Sequence, residues 1–440
     1  THIEAYVTEL QSKVAVTAED QLDDVILKAE HLDFLEETGI DQIRPDADLR
    51  LTAPGQYRLL AEQMQIHRYF LGLDHGRDIS REEAVASWYD TVYLPVVRII
   101  REKAILRQFP GRTEADLYLW ASKHRDELRQ QLGWEVEPSA AAADLTTQID
   151  SSVRRAVTQV GRTVMHAVTS DEPGELRRER TGVRQEDRLF AEILVPLRGD
   201  ERGWQALTQA FEVARREGSQ LRGLHVVSAE DELESESALA VQAEFGRRCE
   251  EAGVSGSLAI AYGKAARERC ARSRWTDMVI LSLEHPPPPK VLGRLGSGFR
   301  SILRRCAGPV LAVPGQASSL NHALLAYDGS PKAEEALFVA TYLVGHWLIS
   351  LTVVTVSKSP RAAGKTQARA REYLTEHGIQ AEFVQDDGPV AATILEMAQD
   401  RQCDLILMGG YGRGAITEVT LGSTVGEVLR TSRQPVLICQ

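Results

Sequence analysis

A glycine-rich segment near the end of the chain has the residue types and spacing of an anion-binding loop. An apolar stretch ends at Met408 and leads into Gly409–Arg413, and Gly422–Thr424 follows, giving the pattern G-x2-G-x9-G-S-T. Glycine allows the backbone to approach a ligand closely. A helix that begins at Gly422–Thr424 would offer free N–H groups and its dipole to phosphate. The segment predicts a phosphate site, and a tight turn that binds nothing is the structural alternative.

A second polar element, Tyr327–Ser330, follows the first apolar stretch of the same region. The Asp328 carboxylate can accept hydrogen bonds from ribose hydroxyls or from an adenine amino group. The next apolar stretch ends at Val356, whose backbone can read the edge of a base. Because ligands of open α/β sheets bind outside the carboxyl ends of the strands, these elements predict one nucleotide site. The alternative for Asp328 is an N-cap of the helix that begins at Ser330-Pro331.

The region that carries these residues is the second copy of an internal repeat with a period of about 130 residues. Six segments recur in the same order in copy one (residues 189–315) and copy two (residues 320–440). In copy one they are 193–196, 204–216, 224–227, 277–281, 295–297 and 308–313. In copy two they are 324–327, 332–344, 353–356, 404–408, 421–423 and 434–439. Six matches in one order indicate a duplicated domain.

Short apolar strands alternate with amphipathic helices in both copies. This order is typical of βαβ units with a buried parallel sheet, and right-handed crossovers place helices on both faces. We therefore predict an α/β fold class: two tandem doubly wound parallel-sheet domains, preceded by a mostly α-helical N-terminal domain. The predicted limits are 1–170 for the helical domain, 171–188 for a charged linker, and 189–315 and 320–440 for the α/β domains.

Residues 1–170 show helical periodicity, with Pro and Gly between the segments. Apolar residues at helical spacing occur at 22–32, 57–67, 117–128 and 153–164. Aromatic residues of this region could line a ligand pocket. At helical spacing they usually form core, and we expect core for Trp88, Tyr89, Tyr93, Tyr118 and Trp120, with His67 and His124 nearby. The sequence assigns no role to this domain.

Composition and charge argue against nucleic-acid binding, membrane binding and secretion. The net charge of -12 argues against nonspecific binding to nucleic acid or membrane surfaces, which needs clustered Lys and Arg. The five cysteines form no C-x-x-C pair, and 1–16 is too polar for a secretory signal, so we expect reduced thiols in the cytoplasm. Residues 337–356 are long enough to span a bilayer. A helix, a turn and a buried strand explain Gly345 and the β-rich second half of this stretch better.

The G-x2-G-x9-G-S-T spacing, the strand-end aspartate and the final P-V-L-I strand together resemble the ATP-binding class of universal stress proteins. The resemblance spans 189–440 and is complete only in copy two. It implies ATP as the ligand, with AMP or ADP left open and Mg²⁺ as a companion of the phosphates. The nucleotide-binding residues that it implies are Asp328, Val356, Met408, Gly409, Gly412, Gly422, Ser423 and Thr424, and Arg413 of the same loop could contact phosphate. For Arg413, a solvated loop position is the alternative.

Copy one departs from this pattern at positions that matter for a nucleotide. Arg198 stands where copy two has Asp328, and a guanidinium cannot accept a hydrogen bond. Ser282 and His285 replace the first two glycines, and Pro286–Pro289 follows, whose prolines lack N–H groups. We expect copy one to be a structural half that does not bind ATP in the family manner. A contact between Arg198 and an anion is the alternative.

These observations favour a regulatory ATP-binding protein of the stress-response type, with one functional site per chain. We expect the helical domain to report nucleotide occupancy to an unknown protein partner. The resemblance implies pairing of last strands, so we expect 309–313 to pair with 435–439 as an intrachain pseudo-dimer, with a homodimer left open. One alternative is a slow ATP hydrolase or nucleotidyl-transferring enzyme, although no G-x4-G-K-[S/T] loop is present. Another is a nucleotide-free scaffold that acts through the helical domain.

Overall fold

The structure, a computed structural model, describes residues 22–102, 104–136, 140–141, 144, 188–283, 308–410 and 423–439. These residues form two compact units, one built from the N-terminal helices and one that contains all the strands described. The predicted helix at 153–164 lies outside the described residues, and so does the predicted linker except Arg188.

The N-terminal unit is helical, as its periodicity predicts. Its α-helices are α1 Leu22–Thr38, α2 Ile40–Ile43, α3 Tyr57–His75, α4 Arg81–Trp88, α5 Leu94–Glu102 and α6 Glu114–Leu132. A π-helical turn, Tyr89–Tyr93, joins α4 to α5, and a 3-10 turn covers Ile105–Gln108.

Aromatic side chains form the centre of this unit. Trp88 is fully buried, and its ring centroid lies 5.5 Å from that of Tyr93. The Tyr93 and Tyr118 rings are 4.9 Å apart, and burial raises the pKa of Tyr118 to about 12. Tyr89 is also buried, and Trp120 packs partly buried against the cluster. The core interpretation of these aromatic residues is confirmed.

The second unit is an α/β structure. Its strands are β1 Glu192–Leu197, β2 Gln220–Val227, β3 Gly256–Tyr262, β4 Met278–Ser282, β5 Val310–Val313, β6 His322–Ala326, β7 Ser350–Val356, β8 Glu382–Asp386, β9 Leu405–Gly409 and β10 Val436–Cys439. Its α-helices are α7 Glu201–Glu217, α8 Glu236–Ala252, α9 Ala265–Ser273, α10 Pro331–Trp347, α11 Pro360–Glu376, α12 Val390–Asp400 and α13 Ser423–Thr431; a 3-10 turn covers Glu230–Glu232.

The ten strands form one sheet in the order β3-β2-β1-β4-β5-β10-β9-β6-β7-β8. Within each copy the neighbouring strands are parallel, and the order reverses direction beside the first strand of the copy. β5 and β10 pair antiparallel, with Leu311 opposite Leu437. The structure thus confirms the α/β fold class and the predicted pairing of 309–313 with 435–439. Because that pairing is antiparallel, the strands of copy one and those of copy two have their carboxyl ends at opposite edges of the sheet.

Buried strands and capped helices explain why these segments fold as they do. β4, β5, β9 and β10 are almost entirely buried runs of apolar residues, typical of parallel strands covered on both faces. Asp200 caps α7 by accepting a hydrogen bond from the Gly203 N–H at 2.9 Å. Ser330 caps α10 in the same way, followed by Pro331 at the first helical position. Each first strand therefore leads through a capped turn into its helix.

A buried polar cluster joins α7 of copy one to α10 of copy two. The Glu217 carboxylate accepts hydrogen bonds from Trp347 Nε1 at 2.5 Å and from the Tyr342 hydroxyl at 2.9 Å. The same hydroxyl accepts a hydrogen bond from the Leu189 N–H at 3.1 Å. Arg216 donates to the backbone carbonyl of Leu320 at 2.9 Å. This cluster fixes the two helices against each other where the copies meet.

Replacing Tyr342 by phenylalanine is expected to destabilise the protein by about 1.5 kcal/mol, because a buried carboxylate loses a donor and a backbone N–H loses its acceptor. The ring and its packing remain. Urea-induced unfolding measures the change in free energy. The control is Tyr262→Phe, since the Tyr262 side chain is 49% exposed and its hydroxyl lies outside the cluster. Equal free energies of unfolding for the two variants would show that the Tyr342 hydroxyl does not stabilise the protein.

The apolar stretch 337–356 is divided as predicted. α10 ends at Trp347, Leu348 adopts a left-handed conformation with φ 55°, and β7 begins at Ser350. In the described ranges, no helix combines the length and the hydrophobicity that a membrane crossing requires.

Candidate functional site

The candidate site lies at the carboxyl ends of three adjacent strands of copy two. β6 is flanked by β9 and β7, and Ala326 of β6 is in register with Met408 on one side and Val354 on the other. The chain leaves β6 toward β7, whereas β9 lies on its other side, so β6 and β9 border the point where the strand order reverses. Crevices for ligands form at such a point. Gly409, the first glycine of the predicted loop, and the Asp328 turn therefore lie at one edge of the sheet.

Asp328 lies in the turn between β6 and α10, with its side chain exposed. Its Oδ1 accepts a hydrogen bond from the Ser330 N–H at 2.9 Å. Its other oxygen, Oδ2, has no hydrogen-bond partner within the described residues. The N-cap of α10 is Ser330, whose Oγ accepts from the Ala333 N–H at 3.2 Å, so the N-cap alternative for Asp328 is wrong. The carboxylate is held by one oxygen and presents the other to solvent.

Gly409, the last residue of β9, lies directly against the start of α10. A Cβ atom at this position would be 2.6 Å from the Lys332 carbonyl carbon and 2.8 Å from the Ala333 nitrogen. These are backbone atoms, which cannot move aside without displacing the helix. Glycine at 409 is therefore needed for the close approach between the end of β9 and the first turn of α10. The Asp328 turn leads directly into this first turn.

Met408 and Val356 contribute differently to the edge. The Met408 side chain is 4% exposed and packs in the interior, so a ligand at this edge reaches Met408 through its backbone. Val356 ends β7 and is partly exposed. The Thr355 hydroxyl donates to the Tyr327 carbonyl at 2.9 Å, which ties the end of β7 to the Asp328 turn. Val356 and Asp328 are thus held on neighbouring strands, as the motif comparison predicts.

The glycine loop itself falls largely outside the described residues. This applies to Gly412, Arg413 and Gly422. α13 begins at Ser423, as predicted, and its first turn contains Thr424, whose side chain is partly exposed. The phosphate contacts assigned to the loop remain predictions.

Two residues near the site were missed by the sequence analysis. Gly329 has φ 75°, and a Cβ there would lie 3.3 Å from Thr366 Cγ2, which places Thr366 of α11 beside the Asp328 turn. Lys332, partly exposed in the first turn of α10, contacts Gly409 through its backbone. No motif contains Thr366, because it reaches the site only through the packing of α11. Lys332 follows Asp328 closely and could have been noticed as a cation beside a strand end.

Glu334, in the first turn of α10, links Tyr327 to Arg369. The Tyr327 hydroxyl donates to Glu334 Oε1 at 2.6 Å, and Arg369 Nε forms an ion pair with the same oxygen at 3.1 Å. Burial, and then the hydrogen bond to Glu334, raise the pKa of Tyr327 well above its usual value. Tyr327 is therefore neutral at physiological pH. Arg369 balances the charge of Glu334.

The corresponding edge of copy one differs. Arg198 follows β1 and is exposed, and Ser282 is the last residue of β4. His285 and Pro286–Pro289 lie outside the described residues. In the ranges described, no group of three or more His, Cys, Asp or Glu side chains is arranged to hold a metal ion.

Comparison with known proteins gives matches that agree on one family. Residues 320–440 match the model of the universal stress protein family. A universal stress protein of Synechocystis sp. is 31% identical over 167 residues, which cover 37% of this chain and 57% of that protein. One of Bacillus subtilis is 27% identical over 144 residues, 27% of this chain and 97% of that protein. The chain thus spans just over half the length of the Synechocystis relative.

The likeness extends to a solved structure. The crystal structure of a universal stress protein from Archaeoglobus fulgidus superposes with a TM-score of 0.51 and 22% identity. It covers 57% of this chain and 97% of the Archaeoglobus chain. At this identity the likeness concerns the fold.

Proposed function

Residues 320–440 match the universal stress protein family, and on this premise we propose that copy two binds ATP as a regulatory ligand. The observation that carries the proposal is the position of the Asp328 turn, Gly409 and Val356 at the carboxyl ends of three adjacent strands, beside the reversal of strand order. The exposed Oδ2 of Asp328 accepts hydrogen bonds from the ribose hydroxyls. The backbone at Val356 contacts the adenine edge.

The triphosphate extends from the end of β9 toward the first turn of α13. The close approach at Gly409 holds the end of β9 against the first turn of α10, and the free N–H groups at the start of α13 attract negative charge. Gly412, Gly422, Ser423 and Thr424 form the phosphate loop in this proposal, with Arg413 and Lys332 as cationic contacts. Mg²⁺, where present, is held by the phosphates.

We further propose that the protein holds ATP and does not consume it at a useful rate. The supporting observation is the engagement of Asp328 Oδ1 by the Ser330 N–H, which gives this carboxylate a binding and positioning role. Nucleotide occupancy would then act on the copies through α10, whose first turn contacts the site and whose last turn joins the Glu217 cluster. The helical unit passes this state to a protein partner.

Nucleotide retained by the purified protein tests this function. We expect mass spectrometry to identify adenine nucleotide, and equilibrium dialysis to give one ATP per chain with weaker binding of AMP. In the same samples, we expect no sustained release of inorganic phosphate. Sustained release that is abolished in Gly412→Val would favour the hydrolase alternative. If the protein binds neither ATP nor AMP, the nucleotide-free scaffold alternative remains.

A further inference from the structure

Copy one carries a positively charged strand end where copy two carries Asp328. Arg198 directly follows β1, and β1 lies between β2 and β4 where the strand order of copy one reverses. This is the position at which open α/β sheets form a ligand crevice. The antiparallel β5–β10 pairing places this crevice at the opposite sheet edge from the ATP site, so the two sites are separate.

The turn that holds Arg198 is fixed on both sides. His225 Nδ1 lies 3.0 Å from the Leu197 carbonyl oxygen, which only accepts, so the ring N–H donates. Gly199 has φ 81°, and a Cβ there would be 2.6 Å from Val241 Cγ2. Asp200 then caps α7. The backbone of Arg198 is therefore held in place at the mouth of the crevice.

A second arginine, Arg269, belongs to α9, the helix that packs against β1 and β2. Arg269 Nε is buried, and the described residues offer it no hydrogen-bond acceptor. Burial, followed by the nearby charge of Arg198, lowers the pKa of the Arg269 guanidinium. A buried N–H without an acceptor costs free energy. An anion that accepts a hydrogen bond from Arg269 Nε removes this cost.

We propose that Arg198 and Arg269 together bind a phosphate-bearing anion at the carboxyl edge of copy one. The planar guanidinium presents paired N–H donors that match two oxygens of a phosphate. Two guanidinium groups match the double charge of phosphate better than the single charge of a carboxylate. The ligand is either free inorganic phosphate or a small phosphomonoester. Copy one would thus have exchanged nucleotide binding for recognition of a different anion.

Nuclear magnetic resonance of the arginine side chains tests this proposal on the full chain. The Nε–H signal of Arg269 is assigned by its absence from Arg269→Lys. Inorganic phosphate and glycerol 3-phosphate are then titrated separately. We expect this signal to shift and saturate, and the probe with the lower Kd identifies free phosphate or a phosphomonoester as the ligand. A signal that neither probe moves would overturn the proposal.

Matched substitutions locate the binding. Arg198→Gln removes an exposed side chain and is expected to raise the Kd for the better probe about tenfold or more, as for a lost charged hydrogen bond. The control is Arg267→Gln, which removes an exposed arginine from the same helix as Arg269 and should leave the Kd unchanged. If Arg198→Gln binds as tightly as Arg267→Gln, then Arg198 does not contact the anion and the proposal is wrong.

Discussion

Replacing Asp328 by alanine is expected to weaken ATP binding by about tenfold to a hundredfold. The carboxylate is exposed at the end of β6, and Oδ2 is open to a ligand while Oδ1 is held by the Ser330 N–H. A hydrogen bond between a ribose hydroxyl and a charged acceptor contributes about 1.5–3 kcal/mol, which corresponds to this change in Kd. Equilibrium dialysis or calorimetry with ATP measures it.

Two further variants separate ligand binding from support of the turn. Asp328→Asn keeps an oxygen that can accept from the Ser330 N–H but removes the negative charge, so its Kd should lie between those of wild type and Asp328→Ala. Asp400→Ala is the control, because Asp400 is an exposed carboxylate at the end of α12, before β9, and therefore at the other edge of this half of the sheet. If Asp328→Ala and Asp400→Ala bind ATP equally well, the assignment of Asp328 is mistaken.

The pairing of the two copies could be predicted because it depends on patterns that sequence preserves. β5 and β10 occur at matching places of a repeat, each as a short apolar run after a proline, and the structure pairs Leu311 with Leu437. The contact between α7 and α10 could not be predicted. Glu217, Tyr342 and Trp347 belong to amphipathic helices in different copies, and nothing in their spacing shows that their polar atoms meet.

The site shows the same division. Asp328, Gly409 and Val356 could be located because each ends or directly follows an apolar strand, and the carboxyl ends of parallel strands share one edge of the sheet. The N-cap at Ser330 competes with Asp328 in sequence, and only the hydrogen bonds distinguish their roles. The positions of Thr366 and Arg269 depend on how α11 and α9 pack against the sheet. That Arg269 Nε is buried without an acceptor can be known only from the structure.

The two copies share one sheet, but their candidate ligand sites lie at opposite edges of it. The strands of copy one run opposite to those of copy two, so Arg198 and Asp328 lie at opposite edges. α10 contacts the candidate nucleotide edge with its first turn and the Glu217 cluster with its last, which provides one connection from that edge to copy one. A nucleotide that shifts α10 would therefore be detected at the junction between the copies.

Gly409→Ala is expected to destabilise the protein by about 3 kcal/mol and to weaken ATP binding. The added Cβ would lie 2.6 Å from the Lys332 carbonyl carbon and 2.8 Å from the Ala333 nitrogen. Overpacking of a rigid contact costs about 1–3 kcal/mol, and the upper value applies because the opposing atoms are backbone. Relief requires α10 to move away from β9, which shifts the Asp328 turn. Urea-induced unfolding and ATP dialysis measure the two effects.

Gly345→Ala is the matched control, because it adds the same methyl group to α10 itself. A Cβ at Gly345 meets nothing within 4 Å, and the residue lies in the last turns of the helix. Alanine is favoured over glycine inside a helix by about 0.5–1 kcal/mol, so this variant should be slightly more stable than wild type and bind ATP normally. If Gly409→Ala lowers the free energy of unfolding and Gly345→Ala raises it, the loss of stability comes from the contact between β9 and α10. If Gly409→Ala matches Gly345→Ala in both measurements, this close approach does not shape the ATP site.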